Sequence, residues 1–275
     1  MKPPKEITIS LIQPFVDQDN SKNFQKMEML IGSAIKDGAK IICLPERWFF
    51  LDFSKGLSDF IQPVQGIQYQ YVKKWSEMFQ TSIISGGIWE HHENTTQSFV
   101  SSYYFKNGKE IFRQDKIHLY GAEKSMLTPG SELVCYHDSE FDVTFCILIC
   151  FDLHISSSLS SMAVKNNCEI IFSPTLIRND GEYNWKTYVQ ARSLENRVPI
   201  VSCNSIFTQL GRDFCGKSKI IHFNQGLSSP VTLVSEEAST TEEVLTRTIN
   251  LDFCNKLRID RMKDIVDPNS ILVIK

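Results

Sequence analysis

FDVTFCILICFDLH, residues 141–154, is the segment around which the predicted fold is organised. Phe145 to Ile149 is an apolar run of strand length, which fits a strand buried on both faces. The run ends at Cys150, and the Ser-rich stretch from Ser156 to Ser161 begins a predicted helix. A thiol at a strand end is well placed to act as a nucleophile, because amide groups freed at the turn can bind an oxyanion. The alternative is structural, since Cys is among the most buried residue types and the chain has eight.

The composition is that of a soluble globular protein. The 275 residues are 42% hydrophobic and 22% charged, with a net charge of −3, so nucleic acid is not an expected partner. No apolar run approaches the roughly 20 residues of a membrane span, so no membrane association is expected. Met1 to Glu6 lead directly into strand-like Ile7 to Ile12, unlike a signal peptide, which predicts a cytoplasmic protein. No linker interrupts the chain, and residues 1–275 are predicted to form one domain.

The cysteine and histidine spacing does not predict a metal site. The cysteines lie at 43, 135, 146, 150, 168, 203, 215 and 254, and no Cys-x-x-Cys occurs. Most lie in apolar runs and are interpreted as free thiols of the core in a reducing compartment. His91-His92-Glu93 is the other candidate, but adjacent side chains on a strand point to opposite faces. We therefore expect no metal.

The start of the chain predicts a β-α-β unit. Residues 6–12 have strand character, Asp19 to Ser21 are candidate helix N-caps, and Gly38 is a natural helix stop. Residues 40–44 form a short apolar strand that ends at Pro45-Glu46. Further helices are predicted over 66–79, 157–167 and 185–196. Strands are predicted over 82–89, 99–105, 110–113, 141–149, 169–172, 199–204, 217–223, 231–234 and 243–251. The tail from Lys256 is interpreted as irregular. This order favours a layered α/β fold with mixed sheets.

Reactive residues follow two of the predicted strands. Glu46 follows Leu44-Pro45, and Cys150 follows Ile149. Ligand sites of open α/β sheets collect beyond the carboxyl ends of strands, so the carboxylate and the thiol could meet there. Lys116, just past the hairpin around Asn107-Gly108, is a third candidate. Glu46 and Lys116 could equally be solvated loop residues, and periodicity alone does not link the three.

The order of the motifs resembles the nitrilase, or carbon–nitrogen hydrolase, superfamily over nearly the whole chain, and its amidase-like branch in particular. Six segments carry the resemblance: residues 9–46, ending in Leu44-Pro-Glu46; Gly86-Gly87; Lys116-Ile-His-Leu119 with Glu123 and Gly130; Ile149-Cys-Phe-Asp152; Ser173-Pro174 through Trp185 to Ala191-Arg-Ser-Leu-Glu-Asn196; and Asn204 with Gly216-Lys-Ser218.

The resemblance implies a four-layer α-β-β-α sandwich with two mixed β-sheets, which usually pairs with a second copy into a homodimer. It also implies catalysis by Glu46, Lys116 and Cys150, with Glu123 as a supporting residue. Cys150 would attack the carbonyl of a small linear amide or N-carbamoyl compound, and Glu46 would move the protons. Lys116 and the backbone N–H of Phe151 would bind the oxyanion. The resulting thioester would be hydrolysed by water, and the reaction needs no metal or organic cofactor.

The segment after the nucleophile departs from the small amidases of the family. Their Arg, Pro and Glu positions hold His154, Ser156 and Ser157 here, which leaves the substrate open. Nitrilases tend to have Trp-Glu after the Cys, so Phe151-Asp152 favours an amide over a nitrile. Arg178 and Arg47 are candidates to bind a substrate carboxylate, because the guanidinium fork matches that group.

Three alternative functions remain. The same thiol could hydrolyse a small nitrile. The chain could be a degenerate member kept for binding, although a chain freed from catalysis would not need all of Glu46, Lys116 and Cys150. A papain-like Cys–His enzyme is the third. No His sits in that family's local pattern, and His154 is interpreted as a packing or capping residue.

Overall fold

The computed structural model describes residues 5–52, 61–92, 97–224 and 232–263. The strands within these ranges are β1 Glu6–Gln13, β2 Ile41–Cys43, β3 Gln62–Pro63, β4 Ser82–Ile84, β5 Ile88–His91, β6 Ser98–Lys106, β7 Lys109–Asp115, β8 Cys135–Asp138, β9 Val143–Ile147, β10 Ile170–Pro174, β11 Ile200–Cys203, β12 Ile206–Gln209, β13 Arg212–Cys215, β14 Lys219–Asn224, β15 Thr232–Glu237 and β16 Glu243–Asn250. The α-helices are α1 Asn20–Lys36, α2 Ile67–Met78, α3 Phe151–His154, α4 Ser158–Lys165, α5 Glu182–Asn196 and α6 Leu251–Met262.

Two mixed β-sheets form the centre of the molecule. In the described residues the first has the order β16-β1-β2-β4-β6-β5-β3, with β7 also paired to β6, and the second has the order β15-β14-β11-β10-β9-β8. The parallel pairs β1–β2–β4 and β9–β10–β11 lie in the middle of their sheets. Their strands are buried on both faces, which explains their continuous apolar sequences.

Helices cover the outer faces of both sheets and complete the predicted α-β-β-α sandwich. Helices α1 and α2 pack on the first sheet, and α5 packs on β11 and β14 of the second, next to α4. Side chains from both sheets share one apolar core, which includes Leu11, Ile41, Phe145 and Ile200. A second cluster lies between the first sheet and its helices.

The β-α-β unit at the start of the chain is confirmed. The Asp19 side chain accepts a hydrogen bond from the Ser21 N–H, which satisfies one of the free amides at the start of α1. The helix ends before Gly38, whose φ of +86° is the left-handed conformation that glycine adopts readily. Asn107-Gly108 forms the predicted tight turn, between β6 and β7.

The structure corrects several predicted elements. The strand predicted over 82–89 is two strands, because Gly86, with a φ of +78°, interrupts it. The tail from Lys256 was predicted as irregular, but residues up to Met262 continue helix α6. The Asn250 side chain caps α6 by accepting from the Phe253 N–H. Few side chains of α6 are buried, so its apolar pattern is weak and does not indicate a helix. Strand β8 and the β12–β13 hairpin were not predicted.

No helix among the described residues is both long and apolar enough to cross a membrane. Within the same part of the chain no group of His, Cys, Asp and Glu side chains is arranged to hold a metal ion. His91 instead contacts the Ser98 hydroxyl at 2.6 Å, the His92 ring lies against Phe99, and Glu93 lies outside the described residues.

Candidate active site

Lys116 lies at the centre of a buried network of ion pairs. Its Nζ is 2.8 Å from Oε1 of Glu46 and 2.9 Å from Oε1 of Glu123. The Lys116 side chain is 1% exposed and that of Glu46 is 6% exposed, so water screens these charges weakly. The fold thus brings Glu46 to Lys116 and Glu123, from which it is distant in sequence.

Two strand ends deliver Glu46 and Lys116 to the same place. Glu46 follows β2, and its backbone carbonyl accepts from the Gly87 N–H at 3.2 Å. A Cβ at Gly87 would lie 2.7 Å from Cγ of Glu46, so the glycine makes room for the carboxylate. Lys116 follows β7, and its N–H donates to the Val100 carbonyl at 2.8 Å.

Glu123 belongs to a short 3₁₀ turn, Gly121–Ser125. Its Oε2 accepts a hydrogen bond from the Tyr120 N–H at 2.7 Å, while Oε1 contacts Lys116. Both oxygens are therefore engaged, and the turn holds the carboxylate against the ammonium.

Cys150 lies at a sharp turn between β9 and the one-turn helix α3. Its backbone has φ +47° and ψ −100°, a conformation that side chains other than glycine rarely adopt. Its N–H donates to the Pro174 carbonyl at 2.8 Å, which fixes the turn to the end of β10. The residue is 8% exposed and borders a cavity.

Burial and, to a smaller extent, neighbouring charges determine the protonation state of the thiol. Burial raises the pKa of Cys150 well above the usual value; Glu46 adds to this effect and Lys116 opposes it. The thiol is therefore protonated at neutral pH, and its attack on a substrate needs a base. Burial lowers the pKa of Lys116, but the charges of Glu46, Cys150 and Glu123 outweigh burial and raise it overall. Burial raises the pKa of Glu123, although Lys116 counteracts it.

Asp152 connects the nucleophile turn to the segment after Lys116, a role that the sequence reasoning did not assign. Its buried carboxylate accepts from the backbone N–H groups of His118 at 2.6 Å, Ile149 at 3.2 Å and Ile117 at 3.3 Å. In the sequence Asp152 is only part of the motif that resembles the nucleophile segment of the family. The contact with His118 depends on two distant segments meeting in space.

A cavity of about 660 Å³ opens beside Cys150. The predicted substrate-binding residues Phe151 and Arg178 line it, as does Arg47. The Nε of Arg178 lies 3.1 Å from Oδ1 of Asp180, at the surface. Arg47 is buried and its Nη1 donates to Oε1 of Gln209 at 2.9 Å. Burial lowers the pKa of Arg47 to about 10, so it stays a cation at neutral pH.

The aromatic residues after Glu46 divide between the core and the site. Trp48 is fully buried against Phe24 and Trp75. Its Nε1–H donates to the Ser85 carbonyl at 2.8 Å. Phe49 borders a small cavity next to Glu46.

The β12–β13 hairpin forms a wall of the large cavity that the sequence did not reveal. Gln209, Leu210, Arg212 and Phe214 of this hairpin and its turn line the cavity. Phe214 pairs with Arg178 through an isolated β-bridge. Residues of α5, including Trp185 and Tyr188, form another wall.

Comparison with known proteins identifies the family. The family model described as carbon–nitrogen hydrolase matches residues 8–259. Omega-amidase NIT2 of Xenopus tropicalis is 22% identical over 263 residues, which cover 91% of each chain. Nit3 of Saccharomyces cerevisiae, a member of branch 10 of the nitrilase superfamily, superposes with a TM-score of 0.78 at 21% identity and covers 93% of this chain and 94% of that one.

An amidase mutant from Nesterenkonia sp. AN1, in complex with butyramide, superposes with a TM-score of 0.76 at 15% identity. The match covers 97% of this chain and 99% of that one. At such identities the two solved structures show a shared fold, and the family match rests on the sequence. The chain belongs to the carbon–nitrogen hydrolase family.

Proposed function

We propose that this protein is an amidase that hydrolyses the C–N bond of a non-peptide amide or N-carbamoyl compound through a thioester on Cys150. The observation that carries the proposal is the ion-pair network of Lys116 with Glu46 and Glu123, whose charges act on the thiol. A buried cation held by two carboxylates is a preorganised partner for an oxyanion.

Each residue has a role in the proposed reaction. Glu46 takes the thiol proton as Cys150 attacks the carbonyl carbon, and then gives a proton to the departing nitrogen. Lys116 and the N–H of Phe151 bind the oxyanion of the tetrahedral intermediate. Phe151 is the first residue of α3, so its N–H has no carbonyl partner within the helix. Water activated by Glu46 then hydrolyses the thioester. Glu123 holds the ammonium in place.

The relatives support an amide over a nitrile. Omega-amidase NIT2 and the Nesterenkonia sp. AN1 amidase carry amidase names, and Phe151-Asp152 departs from the Trp-Glu of nitrilases. Nitrile hydrolysis at the same thiol, and a binding role without catalysis, are the alternatives that the experiment separates.

We further propose that residues 1–275 form one domain, that two copies form a homodimer, and that the protein is cytoplasmic. All eight cysteines are free thiols in the structure, which suits a reducing compartment. Exposed apolar side chains on and beside the helices outside the second sheet, Ile155, Met162, Tyr183 and Leu194, offer a surface for a second copy.

The proposed activity is tested with a panel of primary amides, N-carbamoyl amines and nitriles, with release of ammonia and of the acid as the readout. We expect turnover of amides, and a loss of at least about 10³-fold in Cys150→Ala, because that variant has no nucleophile. Cys135→Ala removes a half-buried thiol of β8 and serves as the matched control. Turnover that survives Cys150→Ala would contradict the mechanism, and preference for nitriles would favour the alternative activity.

A further inference from the structure

Two cavities of very different size meet at the candidate active site. The larger is about 660 Å³ and includes Cys150; the smaller is about 20 Å³ and includes Glu46. Arg47, Trp89, Glu123 and Leu176 line both, so the cavities are neighbours. Cys150 borders the larger cavity, and the confined cavity lies next to it on the side of Glu46.

The larger cavity suits an apolar group. Aromatic rings from four different segments line it, those of Trp89, Phe151, Trp185 and Phe214. Its volume falls within the range of about 300–1,000 Å³ that is typical of sites for drug-sized ligands. An amide of two to four carbons would leave most of it unfilled.

Exposed apolar side chains extend the apolar lining of the larger cavity to its mouth. Tyr120 is 57% exposed and its ring lies 5.1 Å from that of Phe151, and Leu210 is 67% exposed. Tyr188 adds a third exposed apolar side chain at the edge of the same cavity. A group of exposed apolar side chains of this kind usually marks a binding site, whereas apolar residues exposed singly are common.

Leu210 is unusual for its position. It and Gly211 form the two-residue turn between β12 and β13, and both have positive φ, +51° and +68°. Asn or Asp is preferred at the first position of such a turn, and a bulky side chain is disfavoured there. A leucine that is both strained and exposed suggests that its side chain contacts a ligand.

The smaller cavity limits the leaving group. About 20 Å³ is enough for one water-sized molecule, and ammonia is of that size. Glu46, the proposed proton donor to the departing nitrogen, lines this cavity. A substituted amine would need space that the cavity does not provide.

We propose that the substrates are primary amides of bulky apolar carboxylic acids, medium-chain alkanoic or arylalkanoic, which release ammonia. This inference rests on the proposed amidase function. The bond between the carbonyl carbon and Sγ of Cys150 forms first and gives the tetrahedral intermediate; the bond from that carbon to nitrogen then breaks, and the nitrogen leaves as ammonia with the thiol proton. Water then adds to the thioester carbonyl, the C–S bond breaks, the carboxylic acid leaves, and one proton of the water goes to the sulfur. The apolar acyl group stays in the larger cavity through both steps.

The test is a series of straight-chain primary amides from acetamide to octanamide, with 3-phenylpropionamide and N-methyloctanamide added. The acid product is quantified by mass spectrometry with the purified full chain. We expect kcat/KM to rise by about fourfold for each methylene. N-methyloctanamide should react at least about 100-fold more slowly than octanamide, because its leaving amine does not fit.

Leu210→Asn tests the apolar contact with a residue that the turn favours. We expect it to lower the octanamide-to-acetamide ratio of kcat/KM by about tenfold, while the turn becomes more stable to unfolding. A merely structural role for Leu210 would not change the ratio. Met29→Asn is the matched control, because Met29 is 70% exposed on α1 and distant from Cys150.

The outcomes separate the two proposals. Equal or falling kcat/KM with chain length, with activity still abolished in Cys150→Ala, would overturn the bulky apolar substrate and leave the amidase standing. Equal rates for octanamide and N-methyloctanamide would overturn the inference that the leaving group must be small. Failure to hydrolyse any amide in either panel would overturn the amidase function, and this inference with it.

Discussion

At the scale of single residues, burial and neighbouring charges together set the protonation states on which the proposed chemistry depends. Lys116 is almost inaccessible to water, yet two carboxylates hold its pKa above the usual range. Cys150 is also buried, and burial raises its pKa. The site therefore contains a permanent cation beside a neutral thiol. With such a pair, the thiol proton is transferred while the sulfur attacks the substrate, and no thiolate is needed beforehand.

Replacing Lys116 should affect both rate and stability. We expect Lys116→Ala to lower kcat by about 10²–10³-fold, because one oxyanion donor is lost. Two buried carboxylates would also lose their cation, which should lower the free energy of unfolding by about 3 kcal/mol. Steady-state kinetics and urea unfolding measure the two effects. Lys106→Ala is the control: it breaks an ion pair with Asp138 at the far end of β6, and unchanged kcat is expected there. Full activity of Lys116→Ala would rule out the oxyanion role.

His154 should make the fold sensitive to mild acid. Burial lowers its pKa to about 3, and its Nε2 is buried without a hydrogen-bond partner in the described part of the chain. The unfolded chain takes up a proton near pH 6.5 that the folded chain does not bind, so stability falls as the pH drops below 6.5. The contribution between pH 7.5 and 5.5 is about 1.4 kcal/mol.

Urea unfolding at these two pH values checks this contribution. We expect His154→Phe to remove it, since the phenyl ring does not titrate and can still stack on Tyr188. His137→Phe, at a half-exposed histidine of β8, is the matched control for replacing an imidazole with a phenyl ring. An unchanged slope in His154→Phe would show that this histidine is protonated in the folded state.

At the scale of elements, the turn from β9 to α3 combines strain with tight anchoring. Cys150 has a positive φ, and Asp152 binds three backbone N–H groups around it. The backbone conformation costs about 1–3 kcal/mol for a residue with a side chain. The hydrogen bonds of Asp152 and of the Cys150 amide maintain it, which points the thiol toward the cavity.

This strain predicts an unusual order of stability. Cys150→Gly should be more stable than Cys150→Ala by about 1 kcal/mol, because glycine adopts the positive φ readily even after its greater freedom in the unfolded chain is counted. Urea unfolding of both variants provides the comparison. At Cys203, in the regular strand β11, the order should reverse, with Ala more stable than Gly. Equal stabilities at position 150 would show that the turn is not strained.

At the scale of the whole molecule, the first and last strands of the described chain lie side by side. β1 pairs with β16 in antiparallel register from Glu6–Asn250 to Gln13–Glu243. β1 is thereby an interior strand with β2 on its other side. This pairing supports the proposed single domain, because the first sheet includes β16 from the C-terminal half of the chain.

The proposed homodimer is testable through the apolar surface on α4 and α5. Met162→Asp and Leu194→Asp place charges on this surface, where desolvation would oppose association. We expect sedimentation velocity to show a dimer for the wild type and a monomer for the variants. Met29→Asp, on the opposite helical layer, should remain dimeric. A wild-type protein that is monomeric at micromolar concentration would contradict the proposal.

Local sequence determined much of the layered α/β fold, because apolar periodicity, caps and glycine turns act over short distances. The Asp19 cap, the Asn107-Gly108 turn and the buried strand before Cys150 were all predictable for this reason. The motif order also identified the family and the candidates Glu46, Lys116, Glu123 and Cys150. Helix α6 was missed because its pattern is weak, and its burial depends on packing against β14 and β1.

Only the tertiary structure decided how the candidates meet. The 2.8 Å contact of Lys116 with Glu46, the link from Asp152 to His118, and the wall formed by the β12–β13 hairpin all join segments distant in sequence. The same holds for the two cavities, since their volumes depend on how separate elements pack. Residue types and spacing indicate the reaction, whereas the shape that selects a substrate arises from contacts between elements that no local pattern records.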